Sequence, residues 1–436
     1  MATRALLCLC LGLVAVESIS RTSTSTDTEP VYPSCRLPDD SGFNPLGMEL
    51  QLQDMINGSV AAGAVCNDGS AAKLYFRPCC DGTAYGDHCN ISSHPRLLIV
   101  FGDGNSEGYA FDEASMAARM LNNASLTSSD DLPQSFSRDG DSISSGVGAF
   151  SKSGEANPNF YKAFGAYVPY CSSDMWLGES GDFHGRQIAK AAIETLLPEI
   201  EYYGVDEVVL VGGAGIMTQA GELKAMLPSR VNVSAVCDGC MLFSDLDGPT
   251  DPKDPTRSTD TETYLETGCD GTDPLLCPPE MTLPTAVDFW NATDSLAKSV
   301  GSNVDCTGWL CLVDGNPIKA AKRTPLPLLA AQPLYDRAQF VARGTTPEAS
   351  NGTGYEEEVR ARIEAGLKDA EWVVGGACGN THSAQFTRRE FSSISYGGGI
   401  PPLSYASALY DIILREYPLK LEDSCEGCNC NPTCPY

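Results

Sequence analysis

Basic residues are scarce in this chain. Lysine and arginine number 29 against 57 aspartates and glutamates, so the formal net charge of the 436 residues is −28. A surface with this charge repels nucleic acid and anionic membranes at long range. The composition therefore predicts no nucleic-acid partner. A polyanionic substrate would need a local basic patch to offset the net charge.

Long apolar segments are absent after the first twenty residues, so we predict no membrane span. The apolar run from Ala5 to Val16 follows Arg4 and precedes several small residues. A run of this length is too short to cross a bilayer and is typical of a secretory signal peptide, whereas a buried N-terminal helix is the alternative. We predict a signal peptide at residues 1–20, a secreted protein, and a flexible leader at residues 21–60.

Cysteine, in contrast, is abundant. Of the 19 cysteines, Cys8 and Cys10 fall within the signal peptide, and their removal leaves 17. In an oxidising compartment most of these form disulfides, and an odd number leaves at least one thiol free or bonded to another molecule. Secretion also fits six Asn-X-Ser/Thr triplets, which predict a glycoprotein. The asparagines of these triplets are Asn57, Asn90, Asn123, Asn232, Asn291 and Asn351.

No internal repeat and no convincing linker divides the rest of the chain. We therefore predict one large domain at residues 61–420 and a cysteine-rich tail at residues 421–436. The tail cysteines have spacings that fit zinc or disulfides, and disulfides are favoured in a secreted chain. No metal and no cofactor is predicted. The tail cysteines are Cys425, Cys428, Cys430 and Cys434.

The domain alternates predicted strands with predicted helices. This alternation predicts an α/β fold, α/β-hydrolase-like, with a mostly parallel sheet, helices on both faces and long disulfide-bonded loops. Strands are predicted at Arg96–Phe101, Val208–Val211, Val231–Val236, Leu326–Ala331 and Trp372–Gly375. Helices are predicted at Asp112–Leu121, His184–Tyr202, Gly354–Ala370 and Leu403–Tyr417, and after the second strand as far as about Leu227.

The second of these strands leads into a glycine-rich turn. Residues Val208 to Ile216 read VVLVGGAGI, in which glycines flank Ala214 on both sides. α/β-hydrolases carry a nucleophilic serine on such a strand–turn–helix, in the pattern G-x-S-x-G. Ala214 takes the serine position here, and a methyl group cannot attack a carbonyl. Thr218 lies one helical turn further on, where its side chain is expected to point away.

Two other residues follow strands of the predicted sheet. Asp336 comes after Leu326–Ala331, and His382 comes after Trp372–Gly375. In parallel α/β sheets, ligands bind beyond the carboxyl ends of the strands, and the order of nucleophile, acid and histidine is that of α/β-hydrolases. Asp336 alone also fits a helix N-cap, and His382 alone also fits an ordinary loop histidine.

These features resemble the pectin acetylesterases and their animal relative Notum, a carboxylesterase, over about Cys66 to Tyr417. The most specific match is Val168–Gly178, VPYCSSDMWLG, which resembles the family segment PYCSSDxWxG. Further matches are Cys66–Ser70, Asn157–Phe160, Phe183–Gly185, Cys269, Cys277–Pro278, Phe289–Asn291, Cys306, Cys311, Tyr335–Gln339 and Cys378–His382. The resemblance implies that Asp336 and His382 are the acid and the base of a carboxylic-ester hydrolase.

A second departure from the family, besides Ala214, lies in the loop that holds the oxyanion hole. The family's Gly-Gly-Gly-Trp-Cys stretch is matched best by Ser106–Ala110, and Met116 stands where a second cysteine is expected. Both cysteines are therefore absent together, which implies one lost disulfide. The alternative match is Gly102–Gly104 with an insertion after it. The resemblance implies an altered oxyanion hole formed by Gly108, Tyr109 and Gly215.

The Asp-, Thr- and Pro-rich stretch from Ser244 to Asp273 resembles an excursion over the site. Its acidic residues lack the spacing of an EF-hand, so we interpret it as a solvated loop rather than a calcium site. The acidic residues considered are Asp245, Asp247, Asp251 and Asp254.

Three functions fit the sequence. We favour a pseudoenzyme that binds an acylated glycan or a lipidated protein in the former active site. An active ester hydrolase is the alternative, either with water activated by His382 and Asp336 or with a nucleophile other than Ala214. A structural wall or matrix protein is the third.

Overall fold

The apolar runs of the sequence form the centre of one large sheet. The computed structural model describes residues 50–55, 63–77, 95–102, 108–136, 148–151, 157, 159–244, 277–301, 304–347, 354–378, 394–396, 403–414 and 418–434. The strands are β1 Leu50–Asp54, β2 Lys73–Arg77, β3 Arg96–Phe101, β4 Ser135–Phe136, β5 Phe164–Val168, β6 Glu207–Gly212, β7 Asn232–Asp238, β8 Leu328–Ala331, β9 Trp372–Gly375, β10 Ser395–Tyr396, β11 Leu403–Ser404 and β12 Lys420–Glu422.

Ten of these strands form one sheet in the order β12-β9-β8-β7-β6-β3-β5-β2-β1-β4. The strands from β12 to β5 are parallel, and β2, β1 and β4 extend the sheet in antiparallel pairs. Every residue of β6 is buried. Buried parallel strands show continuous apolar sequence because helices cover both faces of the sheet. The carboxyl ends of β6, β8 and β9, which precede the predicted site residues, therefore lie at the same edge.

Helices cover both faces, as predicted. They are α1 Glu113–Asn122, α2 Gly185–Tyr202, α3 Ala214–Met226, α4 Pro279–Phe289, α5 Thr293–Val300, α6 Asn316–Ala321, α7 Arg337–Val341, α8 Tyr355–Leu367 and α9 Tyr405–Leu414. Side chains of α2, α3 and α8 share one buried core with alternate strand residues, and side chains of α9 pack in a second core on the other face.

Local sequence explains where individual helices begin. The side chain of Asp112 accepts a hydrogen bond from the Ser115 amide at 2.7 Å, and the Ser115 hydroxyl accepts one from the Asp112 amide at 3.0 Å. This reciprocal capping box satisfies amides that have no partner within α1. The helix predicted at Asp112–Leu121 is confirmed to within a residue, and the strand predicted at Arg96–Phe101 is also confirmed.

Two of the disulfides between described residues join distant parts of the chain, and the others join neighbouring residues. Three of the four tail cysteines contribute to two of the bonds, so these three have a structural role. The bonds are Cys66–Cys171, Cys237–Cys240, Cys306–Cys311, Cys378–Cys434 and Cys425–Cys430.

Besides shifts of one to three residues at the ends of other elements, such as β7, β8 and α8, three boundaries differ from the sequence-based prediction. Leu50–Asp54 was placed in the flexible leader but pairs with Lys73–Arg77 in the sheet. The helix predicted from Leu403 begins at Tyr405, because Leu403–Ser404 pairs with Ser395–Tyr396. The tail boundary at residue 420 divides β12, which continues the parallel sheet beside β9. In each case a backbone pairing with a distant segment overrides the local pattern.

Several predictions lie outside the described residues, among them the signal peptide at 1–20, the acidic residues of 245–254 and His382. Within the described ranges, no helix is long and apolar enough to cross a membrane. Three of the triplet asparagines, Asn123, Asn232 and Asn291, are described, and each is exposed.

Candidate active site

The glycine-rich turn after β6 places Ala214 at the first position of α3. Gly213 is the N-cap with extended backbone, and Ala214 is fully buried. A Cβ on Gly212 would lie 2.8 Å from the Ile216 side chain, and one on Gly215 would lie 1.6 Å from the carbonyl oxygen of Met175. Glycine is therefore required on both sides of Ala214 for the turn to close. Amides of the first helical turn have no partner within the helix and are suited to bind an anion.

Asp336 lies beyond the end of β8 as the N-cap of α7. Its Oδ1 accepts a hydrogen bond from the Ala338 amide at 2.9 Å. Its Oδ2 accepts hydrogen bonds from the side-chain amides of Gln332 at 2.6 Å and Gln339 at 3.2 Å. The carboxylate is fully buried. The N-cap interpretation is thus confirmed, and the two glutamines fix the carboxylate beyond what a cap requires.

The same two glutamines connect Asp336 to the segment that follows β7. The side-chain oxygen of Gln332 accepts a hydrogen bond from the Met241 amide at 3.2 Å, and that of Gln339 accepts one from the Phe243 amide at 3.1 Å. Sequence reasoning named Gln339 only as part of a motif and did not identify Gln332. The available signal was the presence of two polar side chains close to Asp336 in the sequence.

His382 lies outside the described residues, but the segment that leads to it begins at the site. β9 pairs in parallel with β8, and Cys378 after β9 is bonded to Cys434. The chain therefore leaves the sheet at the carboxyl edge, one strand away from the strand that precedes Asp336. The convergence of Ala214, Asp336 and His382 stays a prediction.

Tyr109 lies in the same apolar cluster as Ala214 and is almost fully buried. Its hydroxyl lies 2.7 Å from the Thr282 hydroxyl on α4, and its ring meets Trp290 edge-on at 5.5 Å. Gly108 before it has φ +76°, a left-handed conformation that glycine adopts readily. Tyr109 and Ala214 therefore belong to one apolar cluster, and Gly108 directly precedes Tyr109.

Ala110 completes this segment. Its amide donates to the Ser173 carbonyl at 2.8 Å, and its carbonyl accepts from the Trp290 indole at 2.6 Å. Both backbone groups of Ala110 are therefore engaged, so its amide is not an oxyanion donor in this arrangement. Ala110 and Met116, which the resemblance matches to two cysteines of the family, lie in one apolar cluster.

A small, mostly apolar cleft lies beside α7, the helix that Asp336 caps. Its volume is about 10 Å³, roughly the space of one water molecule, and Tyr109 forms one wall while α7 forms another. The lining residues are Tyr109, Leu242, Cys277, Pro279, Ala338, Gln339 and Ala342.

Asp174 is a buried carboxylate that the sequence did not single out, although it lies in the most specific sequence motif. It is fully buried, and burial raises its pKa to about 6 although hydrogen bonds from Ser172, Gly185, Trp176 and Gly178 lower it. Tyr405, on the other face of the sheet, has a pKa raised by burial and by the charges of Asp238 and Tyr396. The amino-acid sequence alone does not show which acidic side chains are buried.

Comparisons with known proteins agree on one family. The profile described as Pectinacetylesterase matches residues 48–259. The zebrafish palmitoleoyl-protein carboxylesterase notum1a is 24% identical over 387 residues, which cover 82% of this chain and 70% of that protein. The human palmitoleoyl-protein carboxylesterase NOTUM is 23% identical over 420 residues, which cover 89% of this chain and 74% of that protein.

Two further comparisons extend this result. A zebrafish protein named inactive palmitoleoyl-protein carboxylesterase notum1b is 30% identical over 132 residues, which cover 30% of this chain and 76% of that protein. The crystal structure of the Wnt deacylase Notum from Drosophila, crystal form I, superposes with a TM-score of 0.65 at 21% identity, covering 89% of this chain and 99% of that chain. The α/β-hydrolase-like fold is thereby established.

Proposed function

This chain belongs to the pectinacetylesterase family, and on that premise we propose that it is a secreted member that binds an acylated ligand without normal esterase turnover. The observation that carries the proposal is the buried methyl group of Ala214 at the start of α3. A serine there would supply the attacking oxygen. Without a nucleophile, only about 10³–10⁴-fold catalysis over water is expected from binding and oxyanion stabilisation.

The ligand class follows from the cleft and from the relatives. The lining of the cleft beside α7 is mostly apolar, and an acyl group is the apolar part of an acylated glycan or a lipidated protein. The Drosophila neighbour is named a Wnt deacylase. We therefore propose that this cleft widens on binding to receive an acyl group against the wall formed by Tyr109, and that the rest of the ligand stays outside.

Secretion is part of the proposal. The disulfides Cys66–Cys171 and Cys378–Cys434 join residues far apart in sequence, and such bonds persist in oxidising compartments. The N-terminal pattern of Arg4 and the apolar run after it supports export by a signal peptide.

One observation favours a second function. Asp336 keeps hydrogen bonds from Gln332, Gln339 and the Ala338 amide, so the position of the acid is maintained. If His382 meets it, the pair could activate a water molecule and hydrolyse an ester without Ala214. This hydrolase is the alternative.

Turnover of the purified protein separates the two functions. We expect hydrolysis of short activated acyl esters and of acetylated pectin no faster than in buffer, and no labelling by a fluorophosphonate probe. Binding of a non-hydrolysable acyl analogue should persist and should weaken in Tyr109→Ala, which removes one wall of the cleft. Robust turnover that His382→Ala abolishes would instead establish the hydrolase.

A further inference from the structure

The loop between β5 and α2, residues 170–178, has an unusual backbone. Ser173, Met175 and Trp176 have φ values of 51°, 52° and 67°. Residues other than glycine rarely adopt positive φ, and such strain persists only where the surroundings enforce it. All of residues 170–178 are buried. The 170–178 loop is therefore held in a costly conformation by its contacts.

One set of contacts joins this loop to the segment around Tyr109. The Ser173 carbonyl accepts the Ala110 amide at 2.8 Å, and the Trp176 indole donates to the Gly102 carbonyl at 2.8 Å. The loop thus holds both described ends of the connection that leaves β3, because Gly102 follows that strand and Ala110 precedes α1.

A second set of contacts joins the same loop to the start of α3. The Met175 carbonyl occupies the space that a Cβ on Gly215 would fill, at 1.6 Å. The side-chain amide of Gln219 donates to the Trp176 carbonyl at 2.8 Å and to the Gly215 carbonyl at 3.2 Å. The loop therefore contacts both the Tyr109–Ala110 segment and the first turn of α3.

Asp174 anchors the loop from within. Its Oδ1 accepts the Ser172 hydroxyl at 2.6 Å and the Trp176 amide at 3.0 Å. Its Oδ2 accepts the Gly178 amide at 3.1 Å and the Gly185 amide at 2.7 Å. A Cβ on Gly178 or Gly185 would approach this carboxylate to 2.5 or 2.2 Å. The two glycines therefore form a cradle that only the carboxylate fills.

We propose that Asp174 is a positioning residue that, through the 170–178 loop, sets the separation of the Tyr109–Ala110 segment from the Ala214 turn. This positioning role depends on the proposed function in one respect only, namely that both segments belong to one ligand site. Asp174 does not itself touch the ligand. Its carboxylate fixes the strained loop, and the loop fixes the two walls.

Protonation of Asp174 should disturb this coupling, because each carboxylate oxygen already accepts two hydrogen bonds. A proton on either oxygen places a hydrogen among donors and displaces at least one of them. Burial raises the pKa of Asp174 to about 6, so the displacement falls in an accessible range. The flanking charged residues are Glu179, Asp182, His184 and Arg186, and Arg186 is paired with Glu179 and with Glu222 of α3.

Tryptophan indoles report both sides of the loop. The Trp176 indole donates to Gly102 and the Trp290 indole donates to Ala110, whereas Trp309 packs against the same apolar cluster as Trp290 and Trp372 lies in the core on the other face of the sheet. We would record indole N–H resonances of the full chain, labelled with ¹⁵N-tryptophan, from about pH 7.5 to about pH 5. The Trp176 and Trp290 resonances should titrate together with a midpoint near pH 6, while that of Trp372 stays in place.

Variants decide whether Asp174 is the titrating group. In Asp174→Asn both resonances should lie at their low-pH positions already at neutral pH and should not titrate. Asp423→Asn is the matched control, since Asp423 is also a buried carboxylate that accepts a backbone amide, that of Ala377 at 2.9 Å. It should leave the titration unchanged. If Asp174→Asn does not fold, Ser172→Ala is used in its place. Loss of the Ser172 hydroxyl, which donates to Asp174, should raise the pKa of Asp174 and move the midpoint of the titration to higher pH.

A Trp290 resonance that responds neither to pH nor to Asp174→Asn would overturn the proposal. Equal movement of the Trp372 resonance, or an equal effect of Asp423→Asn, would also overturn it. The measurement needs neither ligand nor turnover. Its failure would therefore leave the proposed ligand binding standing, and failure of ligand binding would leave this coupling standing.

Discussion

At the scale of single residues, one methyl group separates the proposed function from that of an esterase. Ala214 lies at the start of α3 and shares an apolar cluster with Tyr109, while Asp336 keeps three hydrogen bonds on its carboxylate. We therefore propose that Ala214 stands in the retained surroundings of a catalytic group that is itself absent. A buried alanine costs nothing in folding, whereas an unpartnered buried hydroxyl costs about 1–3 kcal/mol.

Ala214→Ser tests whether these surroundings still work. The change adds one oxygen to a buried side chain, so we expect a folded protein with slow hydrolysis of activated esters and detectable labelling by a fluorophosphonate. The labelled fraction over time is the measurement. Adding His382→Ala should abolish the labelling, because no base would remain to accept the serine proton. A folded Ala214→Ser protein without labelling would favour a purely binding or structural role.

Asp174 gives stability a specific pH dependence. Burial raises its pKa from 3.8 to about 6, so the folded state binds the proton more tightly than the unfolded state. The charged form therefore opposes folding above pH 6, and its contribution to stability improves as the pH falls towards 4. Relative to Asp174→Asn, the unfolding free energy of the wild type should rise by about 2 kcal/mol between neutral pH and pH 4. Urea unfolding of both proteins at the two pH values measures it. A difference that is constant with pH would contradict the raised pKa.

At the scale of elements, the packing of α3 against the 170–178 loop leaves no room at Gly215. The loop's carbonyl lies where a side chain would begin, and the strained residues around it cannot retreat without breaking the hydrogen bonds of Asp174 and Gln219. The β6–α3 turn and the loop therefore form one unit, although more than thirty residues separate them in sequence.

Gly215→Ala should lower the unfolding free energy by about 3 kcal/mol or more, since overpacking against backbone costs about 1–3 kcal/mol even where neighbours shift. Gly366→Ala in α8 is the control, because its Cβ would meet the flexible sulfur of Met241 at 2.6 Å rather than a backbone atom. Alanine also favours a helix over glycine by about 0.5–1 kcal/mol. Chemical denaturation should rank the first variant well below the second. Equal stabilities would mean that the loop yields easily.

At the scale of the whole molecule, disulfides connect the sheet to its loops. The Cys66–Cys171 bond spans 105 residues and ends in the 170–178 loop, whereas Cys306–Cys311 spans 5. A cross-link restricts the unfolded chain more strongly when it closes a longer loop. The long bond is therefore expected to contribute more to stability.

Replacing Cys66 and Cys171 together with serine should lower the unfolding free energy by about 2–5 kcal/mol. The same change at Cys306 and Cys311 should cost less. Thermal and urea unfolding of the two double variants, under conditions that keep the other disulfides intact, makes the comparison. A larger loss from the short bond would show that loop closure is not the main source of stabilisation.

Sequence alone was sufficient for the central strands. Val208–Val211 and Trp372–Gly375 are short apolar runs bounded by turn residues, and a buried parallel strand needs no more than that. β5 and β1 were not predicted, although Phe164–Val168 is a short apolar run and Leu50–Asp54 alternates apolar and polar residues. Both strands pair with neighbouring strands of the sheet. The order of Ala214, Asp336 and His382 along the chain could also be read from the sequence, since it depends only on which residues follow which predicted strands.

The amino-acid sequence by itself determined the α/β class, the disulfide-rich character, the alanine between glycines and the acid after its strand, because each depends on residue type and local spacing. Only the tertiary structure decided that Asp174 is buried among four donors, that Gln332 and Gln339 hold Asp336, and that the Met175 carbonyl closes against Gly215. Those features depend on contacts between segments distant in sequence. Burial and hydrogen-bond partners are properties of the packed chain, and no pattern of neighbouring residues encodes them.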